Sequence, residues 1–342
     1  MYKYIGFCVL GVGILLIPIL AVSLSLNGSK QNAFKLLIDH DGGADDAMAI
    51  FMALLHEQYR NGPEIVGLST THGNVIEDQV FHNTQRILNI AQRREVPIYR
   101  GTNSSLVTTP PGSPYYGLDG LGDTDYRASF EPIAPQVTHA VLAIIELSKK
   151  YEGHLILVML GTATNLALAM RIDPLVIGRF AQIYVGAGHI KDANHPNPEF
   201  NAFMDVEGYR AVVQGSSPDR VTLVPFSQTN SSLNISRDWR LNILGTIDTD
   251  SVRALNAFEN YTMMQDAMWD QLDPAVMAVV LDEAVVTEMK YSNNSIILCG
   301  EERGVNTNIL GAKESSNVRI LYSMDEDKFK QLLVDIFSSE LK

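Results

Sequence analysis

The sequence predicts a single α/β domain with a mainly parallel, Rossmann-like central sheet flanked by helices. After residue 30, short β-branched runs alternate with longer stretches whose apolar residues recur at helical spacing. This alternation is typical of βαβ units, which build parallel sheets covered by helices. Residues 31–342 show no shift in composition, no internal repeat and no low-complexity tail, so we expect one domain there.

Each predicted element follows from a run of this kind. Six apolar runs are predicted as strands, in the order Phe34–Asp39, Ile65–Thr70, Leu155–Leu160, Ile183–Gly186, Val221–Val224 and Val318–Tyr322. Asp325–Leu341 is predicted as a terminal amphipathic helix. The segment Thr102–Arg127 is rich in Gly, Pro, Tyr and Asp and is predicted as a long loop. Loops of this length inside a compact domain are often functional.

Composition excludes one class of partner. The 342 residues carry a formal net charge of -13, and no run is rich in Lys or Arg. Nucleic-acid binding needs a basic surface to replace the counterions of the phosphates, so we expect no nucleic-acid partner. An acidic chain is better suited to collecting a divalent cation.

The N-terminal segment, residues 1–30, is predicted to be a signal peptide or a membrane anchor. Lys3 precedes an apolar run from Ile5 to Val22, and the small residues Ala21 and Ser23 offer a cleavage site. The run approaches the ~20 residues that span a bilayer, so an uncleaved anchor is the alternative to secretion. Sequons for N-glycosylation agree with the secretory route and occur at Asn27, Asn103, Asn230, Asn234, Asn260 and Asn293.

Four aspartates fall within eight residues where the first predicted strand leads into a helix: Asp39, Asp41, Asp45 and Asp46. Like charges this close repel strongly in a partly buried site. The helix dipole alone accounts for Asp45 and Asp46, because a helix start favours anions. Asp39 and Asp41 instead lie at the carboxyl end of a strand, where open α/β sheets bind ligands. Because a hard cation with several oxygen ligands would compensate all four charges, we predict a divalent metal site.

Further polar side chains are predicted just past other strand ends. They are Asn74, Thr164-Asn165 and Glu199-Phe200-Asn201. Taken singly, each Asn is more often a turn or cap residue. Convergence at one edge of the sheet would suit a polyhydroxylated substrate, because amides and carboxylates each engage one or two sugar hydroxyls.

The segment Leu37–Ala47 resembles the N-terminal signature of the inosine–uridine-preferring nucleoside hydrolase family, Asp-x-Asp-Pro-Gly-x-Asp-Asp. Further matches follow in the order of the family: Gly73-Asn74, Gly120-Leu121-Gly122, Thr164-Asn165, Gly186 to Gly188, Glu199-Phe200-Asn201 with Asp205, and Asp273-Pro274. The resemblance covers almost all of residues 34–340 and implies a nucleoside hydrolase-like catalytic domain over 31–342. It implies hydrolysis of the N-glycosidic bond of ribonucleosides to ribose and free base, dependence on Ca²⁺, and assembly as a homodimer or homotetramer.

The resemblance also implies a role for each matching residue. Asp41, Asp46, Asp273 and the main-chain carbonyl of Thr164 match the calcium ligands, and Asp41 matches the general base for the metal-bound water. Asp39 matches a residue close to the metal. The residues matching the ligands of the ribose hydroxyls are Asp45, Asn74, Asn194, Glu199 and Asn201, with Asn194 one residue away from the spacing of the family.

The chain departs from the family pattern in three places. Gly42 stands where the signature has Pro, Tyr116 stands in place of a histidine of the substrate loop, and Leu272 replaces the histidine that protonates the leaving base in nonspecific members. Purine-preferring members also lack that histidine and activate the base by aromatic stacking, so a slight purine preference is predicted. Tyr116 and Trp269 are the predicted base-stacking residues, with Tyr115 and Phe203 as further candidates. Asp270 is a rival to Asp273 as the last metal ligand.

Two other readings remain open at this stage. Asp39-x-Asp41-Gly42 after an apolar strand also opens the haloacid-dehalogenase-type phosphatases, with Asp39 as nucleophile, but that reading leaves Asp45 and Asp46 unexplained. The second is a catalytically inactive calcium-binding extracellular protein, because Leu272 cannot donate a proton to a leaving base.

Overall fold

The computed structural model describes residues 33–190, 194–269 and 272–341. Within these ranges, nine strands form one sheet: β1 (Lys35–His40), β2 (Glu64–Thr70), β3 (Ile98–Tyr99), β4 (Leu155–Met159), β5 (Gln182–Gly186), β6 (Val221–Val224), β7 (Val286–Ile296), β8 (Asn306–Leu310) and β9 (Val318–Met324). The helices are α1 (Ala44–Arg60), α2 (Glu77–Ile90), α3 (Ala140–Lys150), α4 (Thr164–Ile172), α5 (Val176–Arg179), α6 (Phe200–Met204), α7 (Val206–Gln214), α8 (Phe226–Ser232), α9 (Arg237–Asn242), α10 (Asp250–Phe258), α11 (Asn260–Met263), α12 (Leu272–Leu281) and α13 (Glu326–Ser338).

The sheet is parallel over most of its width. Its strand order is β3-β2-β1-β4-β5-β6-β9-β7-β8. Every neighbouring pair from β3 to β9 is parallel, whereas β7 runs antiparallel to both β9 and β8. The order β3-β2-β1-β4-β5-β6 is that of a doubly wound α/β sheet. The predicted fold class is therefore confirmed.

All six predicted strands form, with ends that differ from the prediction by at most two residues. The strands that the sequence did not predict are β3, β7 and β8. β3 has only two residues, which is too short for a pattern to emerge. In β7, exposed and partly exposed residues predominate, so this strand lacks the apolar run by which the buried strands were recognised.

Strand β1 lies at the centre of the core and is covered on both faces. Leu36 and Ile38 pack into one apolar cluster with α1, α12 and α13, whereas Leu37 packs into a second cluster with α3, α4 and α7. This alternation follows from the two-residue period of a strand, which sends successive side chains to opposite faces. The carboxyl end of β1 is consequently held by packing from both sides.

A crevice is expected beside this strand end. β1 and β4 are neighbours in the sheet, and the helices that follow them, α1 and α4, pack on opposite faces. The chain therefore reverses its direction of winding between these two strands. In open α/β sheets, such a switch point is where ligands bind, outside the carboxyl ends of the strands.

The predicted leader, residues 1–30, lies outside the described residues. Its interpretation as a signal peptide or as a membrane anchor therefore stays a prediction. Asp270 also lies outside them. Within the described ranges, no helix combines the length and the apolar character needed to cross a membrane.

Candidate active site

Four buried carboxylates converge at the carboxyl end of β1: Asp41, Asp45, Asp46 and Asp273. Each has at most 6% of its surface exposed. Carboxylate oxygens of Asp45, Asp46 and Asp273 all lie within 4.8 Å of one another. Asp41 adjoins this group, because its side chain interacts with that of Asp46 and its main-chain N–H donates to Asp46 Oδ1 over 3.2 Å. The sequence places three of these residues in one turn, but only the fold brings Asp273 to them.

Two helices position the cluster. Helix α1 begins just after Gly43, and the carboxylate of Asp46 accepts a 2.7 Å hydrogen bond from Gly43 N–H. This bond caps the helix and fixes the side chain of Asp46. Asp273 lies in the first turn of α12, which packs along α1 in the same apolar cluster. Both helices thus present carboxylates from their N-terminal turns, where the helix dipole favours negative charge.

Burial makes the ionised form of this cluster costly. Desolvation raises the pKa of Asp41 to about 7 and that of Asp45 to about 6. It also raises the pKa values of Asp46 and Asp273 well above the usual range for Asp, and the neighbouring carboxylates raise them further. Because like charges in a low dielectric repel strongly, four ionised groups at neutral pH require a compensating charge.

The donor set fits a hard divalent cation. All four groups offer carboxylate oxygens, which are the ligands that Ca²⁺ and Mg²⁺ prefer. Asp273 Oδ2 is buried and has no hydrogen-bond partner in the described part of the chain, although buried polar atoms are nearly always paired. Asp45, which the resemblance assigns to ribose, lies within the same oxygen cluster as Asp46 and Asp273. The fold therefore brings together carboxylate oxygens that could hold a divalent cation.

Asp41 is fixed by Asn74 and enclosed by two glycines. Asp41 Oδ1 accepts from the side-chain amide of Asn74 over 2.8 Å, and Oδ2 accepts from the main-chain N–H of Asn74 over 2.9 Å. A Cβ atom on Gly73 would lie 1.8 Å from Asp41 Oδ2, and one on Gly161 would lie 2.8 Å from Asp41 Cβ. The carboxylate therefore has room only because both neighbours lack a side chain.

Asp39 lies behind the cluster in a polar network of its own. Asp39 Oδ2 accepts from Ser69 Oγ over 2.6 Å and from Asn165 Nδ2 over 2.8 Å. Desolvation raises the pKa of Asp39 to about 7, and these two hydrogen bonds oppose the rise. The Asn165 side chain also donates to Thr70 O, so it connects the ends of β1 and β2.

Thr164, whose carbonyl was predicted as a metal ligand, begins helix α4 and is buried. Its hydroxyl donates to Asp205 Oδ2 over 2.5 Å. Asp205 in turn accepts from Gly208 N–H and caps α7. The first turn of α4 is therefore tied to the start of α7 beneath the site.

A cavity of about 480 Å³ adjoins the carboxylates. This volume is within the ~300–1,000 Å³ of small-molecule sites. Polar residues on its wall include four predicted to bind ribose: Asp45, Asn74, Glu199 and Asn201. The apolar and aromatic residues on its wall include Tyr115, Tyr116, Leu160, Phe226 and Leu272. The fold thus combines polar groups with apolar surface, as a nucleoside requires.

Glu199 and Asn201 face the cavity while also holding the loops around it. Glu199 accepts hydrogen bonds from the main-chain N–H groups of Gly188, Asn201 and Ala202, at 2.7–2.9 Å. Asn201 Nδ2 donates to Leu160 O over 2.8 Å and to Gly186 O over 2.9 Å. These bonds fix both side chains before any substrate binds, which lowers the entropy cost of binding.

Two tyrosines form part of the cavity wall. Tyr116 is 7% exposed, and its hydroxyl hydrogen-bonds to the carboxylate of Asp45. Its ring meets that of Tyr115 edge to face, with centroids 4.8 Å apart. The hydroxyl of Tyr115 donates to Asp266 Oδ2 over 3.0 Å. Both rings are thus held in place at the cavity.

The structure corrects the prediction for Trp269. Its ring is 3% exposed and packs in the apolar core against Phe329, with centroids 6.4 Å apart. Its indole N–H donates to Glu259 Oε1 over 3.1 Å. Trp269 is absent from the wall of the 480 Å³ cavity, so it is not placed to stack on a base there.

Two other predicted residues also lie apart from the cavity wall. Asn194 is exposed, and it directly follows residues 191–193, which the structure does not describe. Phe203 is partly buried and packs against the apolar cluster that contains α4 and α7. The cavity includes His189 and Phe226, which the sequence reasoning did not single out. Both follow shortly after strand ends, so the rule that located Asn74 would have found them.

Comparisons with known proteins point to one family. The profile of a family described as "Inosine-uridine preferring nucleoside hydrolase" matches residues 36–331. The inosine-uridine preferring nucleoside hydrolase of Leishmania major is 28% identical over 313 residues, which cover 88% of this chain and 96% of that protein. The enzyme of the same description from Crithidia fasciculata is 30% identical over 264 residues, which cover 74% of this chain and 80% of that protein.

Solved structures share the fold. A plant nucleoside hydrolase superposes with a TM-score of 0.77 at 24% identity, over 90% of this chain and 99% of that one. A purine-preferring ribonucleoside hydrolase from Gardnerella vaginalis superposes with the same TM-score at 23% identity, over 90% of this chain and all of its own. With a profile that spans most of its length, this chain belongs to the inosine-uridine preferring nucleoside hydrolase family.

Proposed function

We propose that this protein hydrolyses the N-glycosidic bond of ribonucleosides to give ribose and free base. One observation carries the proposal: a cluster of buried carboxylates adjoins a cavity whose wall presents Asp45, Asn74, Glu199 and Asn201 together with aromatic rings. Membership of the nucleoside hydrolase family supports the same reaction.

The residues present meet the demands of this reaction. Cleavage of a glycosidic bond passes through an oxocarbenium-like sugar cation. The negative charge of Asp45 and its neighbours would stabilise that cation, because the charge is fixed in a buried site. Asp41 is the proposed general base, because a positioned carboxylate can take the proton of a water molecule. Asn74 holds both of its oxygens and so sets its orientation.

Calcium is the cation that we propose for the site. Asp46 and Asp273 would hold it, and their carboxylate oxygens cluster with those of Asp45. The family resemblance adds Asp41 and the carbonyl of Thr164 to this proposed set of ligands. Bound there, a divalent cation would lower the pKa of water and orient the sugar diol. The support is the crowded set of buried oxygen donors and the unpaired Asp273 Oδ2 within the described residues.

Ribose binding is assigned to the polar side chains on the cavity wall. Asp45, Asn74, Glu199 and Asn201 would engage its hydroxyls, since carboxylates accept hydrogen bonds and amides both donate and accept them. For the base, Tyr115, Tyr116 and Phe226 offer aromatic surface. We propose that the protein slightly prefers purine nucleosides. These rings and Leu272 on the same wall support this preference.

A reducing-sugar assay tests the function. Inosine, guanosine, adenosine and uridine are incubated with the full protein, with and without a chelator. Release of ribose that the chelator abolishes and calcium restores is the expected result. Phosphate release from a phosphomonoester without nucleoside cleavage would favour the phosphatase reading. Calcium binding in calorimetry with no turnover of any nucleoside would favour the inactive calcium-binding protein.

Two further proposals come from the sequence and from the family. The first is export through the leader, followed by an extracellular location or anchoring by the uncleaved segment. The second is assembly as a homodimer or homotetramer, which light scattering of the purified protein would test. A monomer at all concentrations would refute it.

A further inference from the structure

His189 lies on the cavity wall, and no step described above uses it. It comes directly after the segment Gly186-Ala187-Gly188, in which β5 ends. It therefore lies at the same edge of the sheet as the carboxylate cluster. Among the residues described on the cavity wall, the other titratable side chains are carboxyls and tyrosine hydroxyls. His189 is the imidazole among the residues described on this wall, and an imidazole is a common general acid in enzymes.

The departing base needs such a group. When the C1′–N bond breaks, its electron pair stays on the base, and an anionic purine or pyrimidine leaves poorly. Proton donation to the leaving atom by a positioned side chain typically contributes about 10²–10⁴-fold. Leu272 has no proton to give. Tyr116 is hydrogen-bonded to Asp45, and Tyr115 already donates to Asp266.

The backbone of His189 is held from two directions. Its N–H donates to Asn306 Oδ1 over 3.0 Å, and its carbonyl accepts from Asn308 Nδ2 over 2.9 Å. The preceding residue, Gly188, donates its N–H to Glu199 Oε2 over 2.7 Å. The residue before the histidine is therefore tied to a side chain assigned to ribose, and the main chain of His189 is held close to it.

The imidazole ring packs among other rings. Its centroid lies 4.9 Å from that of His195 and 6.0 Å from that of Phe226. Phe226 is itself on the cavity wall. An aromatic surface beside a proton donor is the arrangement that a flat heterocyclic base requires.

We propose that His189 is the general acid that protonates the leaving base, which deepens the proposed nucleoside hydrolase function and rests on it. The C1′–N bond breaks and its electron pair goes to the base, which receives a proton from the imidazolium of His189. The oxygen of a water molecule bonds to C1′, and the proton of that water goes to the carboxylate of Asp41. Solvent then returns a proton to His189 and takes one from Asp41, so the net reaction is addition of one water.

The test compares two leaving groups in the full protein with calcium. Inosine needs a proton on its base, whereas 4-nitrophenyl β-D-ribofuranoside releases a stable phenolate without one. In His189→Gln, kcat for inosine is expected to fall by about 10²-fold or more, while kcat for the nitrophenyl riboside stays near the wild-type value. The matched control is His154→Gln, an exposed histidine at the amino end of β4, for which both rates are expected to be unchanged.

A second measurement uses the wild-type protein alone, so it does not depend on the variant folding. The pH profile of kcat/KM for inosine is expected to fall at alkaline pH as His189 loses its proton, and the profile for the nitrophenyl riboside is expected to lack that limb. Identical profiles, or equal losses on both substrates in His189→Gln, would overturn the role of His189 and leave the hydrolase function standing. A wild-type protein that cleaves neither substrate would instead refute the hydrolase function itself.

Discussion

Asn74 holds both carboxylate oxygens of Asp41, one through its side-chain amide at 2.8 Å and the other through its main-chain N–H at 2.9 Å. This pair links the loop after β2 to the loop after β1. A residue predicted to bind ribose thus also orients the proposed general base. The two roles are compatible, because the carbonyl oxygen of the Asn74 side chain is not used in these bonds.

The first prediction concerns Asp41. Asp41→Asn removes the proton acceptor and one cation ligand while preserving the shape of the side chain. We expect kcat for inosine to fall by about 10²–10⁴-fold, the usual contribution of a general base. Steady-state kinetics measure the loss, and Asp327→Asn on the exposed face of α13 is the control. Unchanged turnover in Asp41→Asn would show that another group accepts the proton.

The second prediction concerns the cation. Calcium at 100 times its Kd is expected to stabilise the folded state by about 2.7 kcal/mol, because it binds the native protein and not the unfolded chain. Asp273→Asn removes a buried ligand and is expected to abolish most of this gain. Thermal unfolding with and without calcium provides the measurement. An equal calcium-dependent shift in Tm for wild type and Asp273→Asn would contradict the assignment of Asp273.

The third prediction concerns pH in the absence of the cation. Burial raises the folded-state pKa values of Asp39 and Asp41 to about 7, from the usual 3.8 of an aspartate in an unfolded chain. Between these values the folded protein binds more protons than the unfolded chain, so stability falls as pH rises. In chelator, the free energy of unfolding in urea is expected to be larger at pH 5.5 than at pH 8. Added calcium should reduce this difference, and greater stability of the chelated protein at pH 8 would refute the prediction.

The fourth prediction concerns the space around Asp41. In Gly161→Ala the new Cβ would lie 2.8 Å from Asp41 Cβ, so the carboxylate must shift. We expect a loss of activity of at least about tenfold, since misplacement of a reacting group by 1 Å can cost about 10² in rate. Gly178→Ala is the matched control, because a Cβ there meets nothing within 4 Å. Equal activity in the two variants would mean that the site tolerates displacement of Asp41.

The fifth prediction concerns the secretory route. Asn103, Asn234, Asn260 and Asn293 are exposed, so their sequons are accessible to glycosylation. Expressed with its leader in a eukaryotic secretory host, the protein is expected in the medium with a mass that falls on treatment with a glycosidase specific for N-glycans. An unglycosylated protein that remains in the cytoplasm would contradict the secretory prediction.

Local patterns predicted the central part of this fold. The sequence predicted β1, β2, β4, β5 and β6, because strands that are buried on both faces consist of nearly continuous apolar runs. β7 and β8 escaped prediction because this edge hairpin is largely exposed and its side chains carry no such signature. The same reasoning located Asp41, Asp45 and Asp46, which share one turn.

Tertiary packing decided the rest of the site. Asp273 lies more than two hundred residues beyond Asp46, and only the packing of α12 along α1 brings them together. Trp269 shows the opposite outcome, since its large apolar ring is equally suited to a core and to a binding site. In the fold, the ring of Trp269 packs against that of Phe329 in the core. No local sequence pattern distinguishes this position from one on the cavity wall.

The antiparallel hairpin at the edge of the sheet has a consequence for how this enzyme could diversify. Asn306 and Asn308 of β8 hold the main chain of His189, although they follow it by 117 and 119 residues. A substitution or a change of length in this hairpin would move the histidine without altering any residue on the cavity wall. Tolerance for different nucleobases could therefore be tuned from the periphery, while the centre that handles the sugar stays intact.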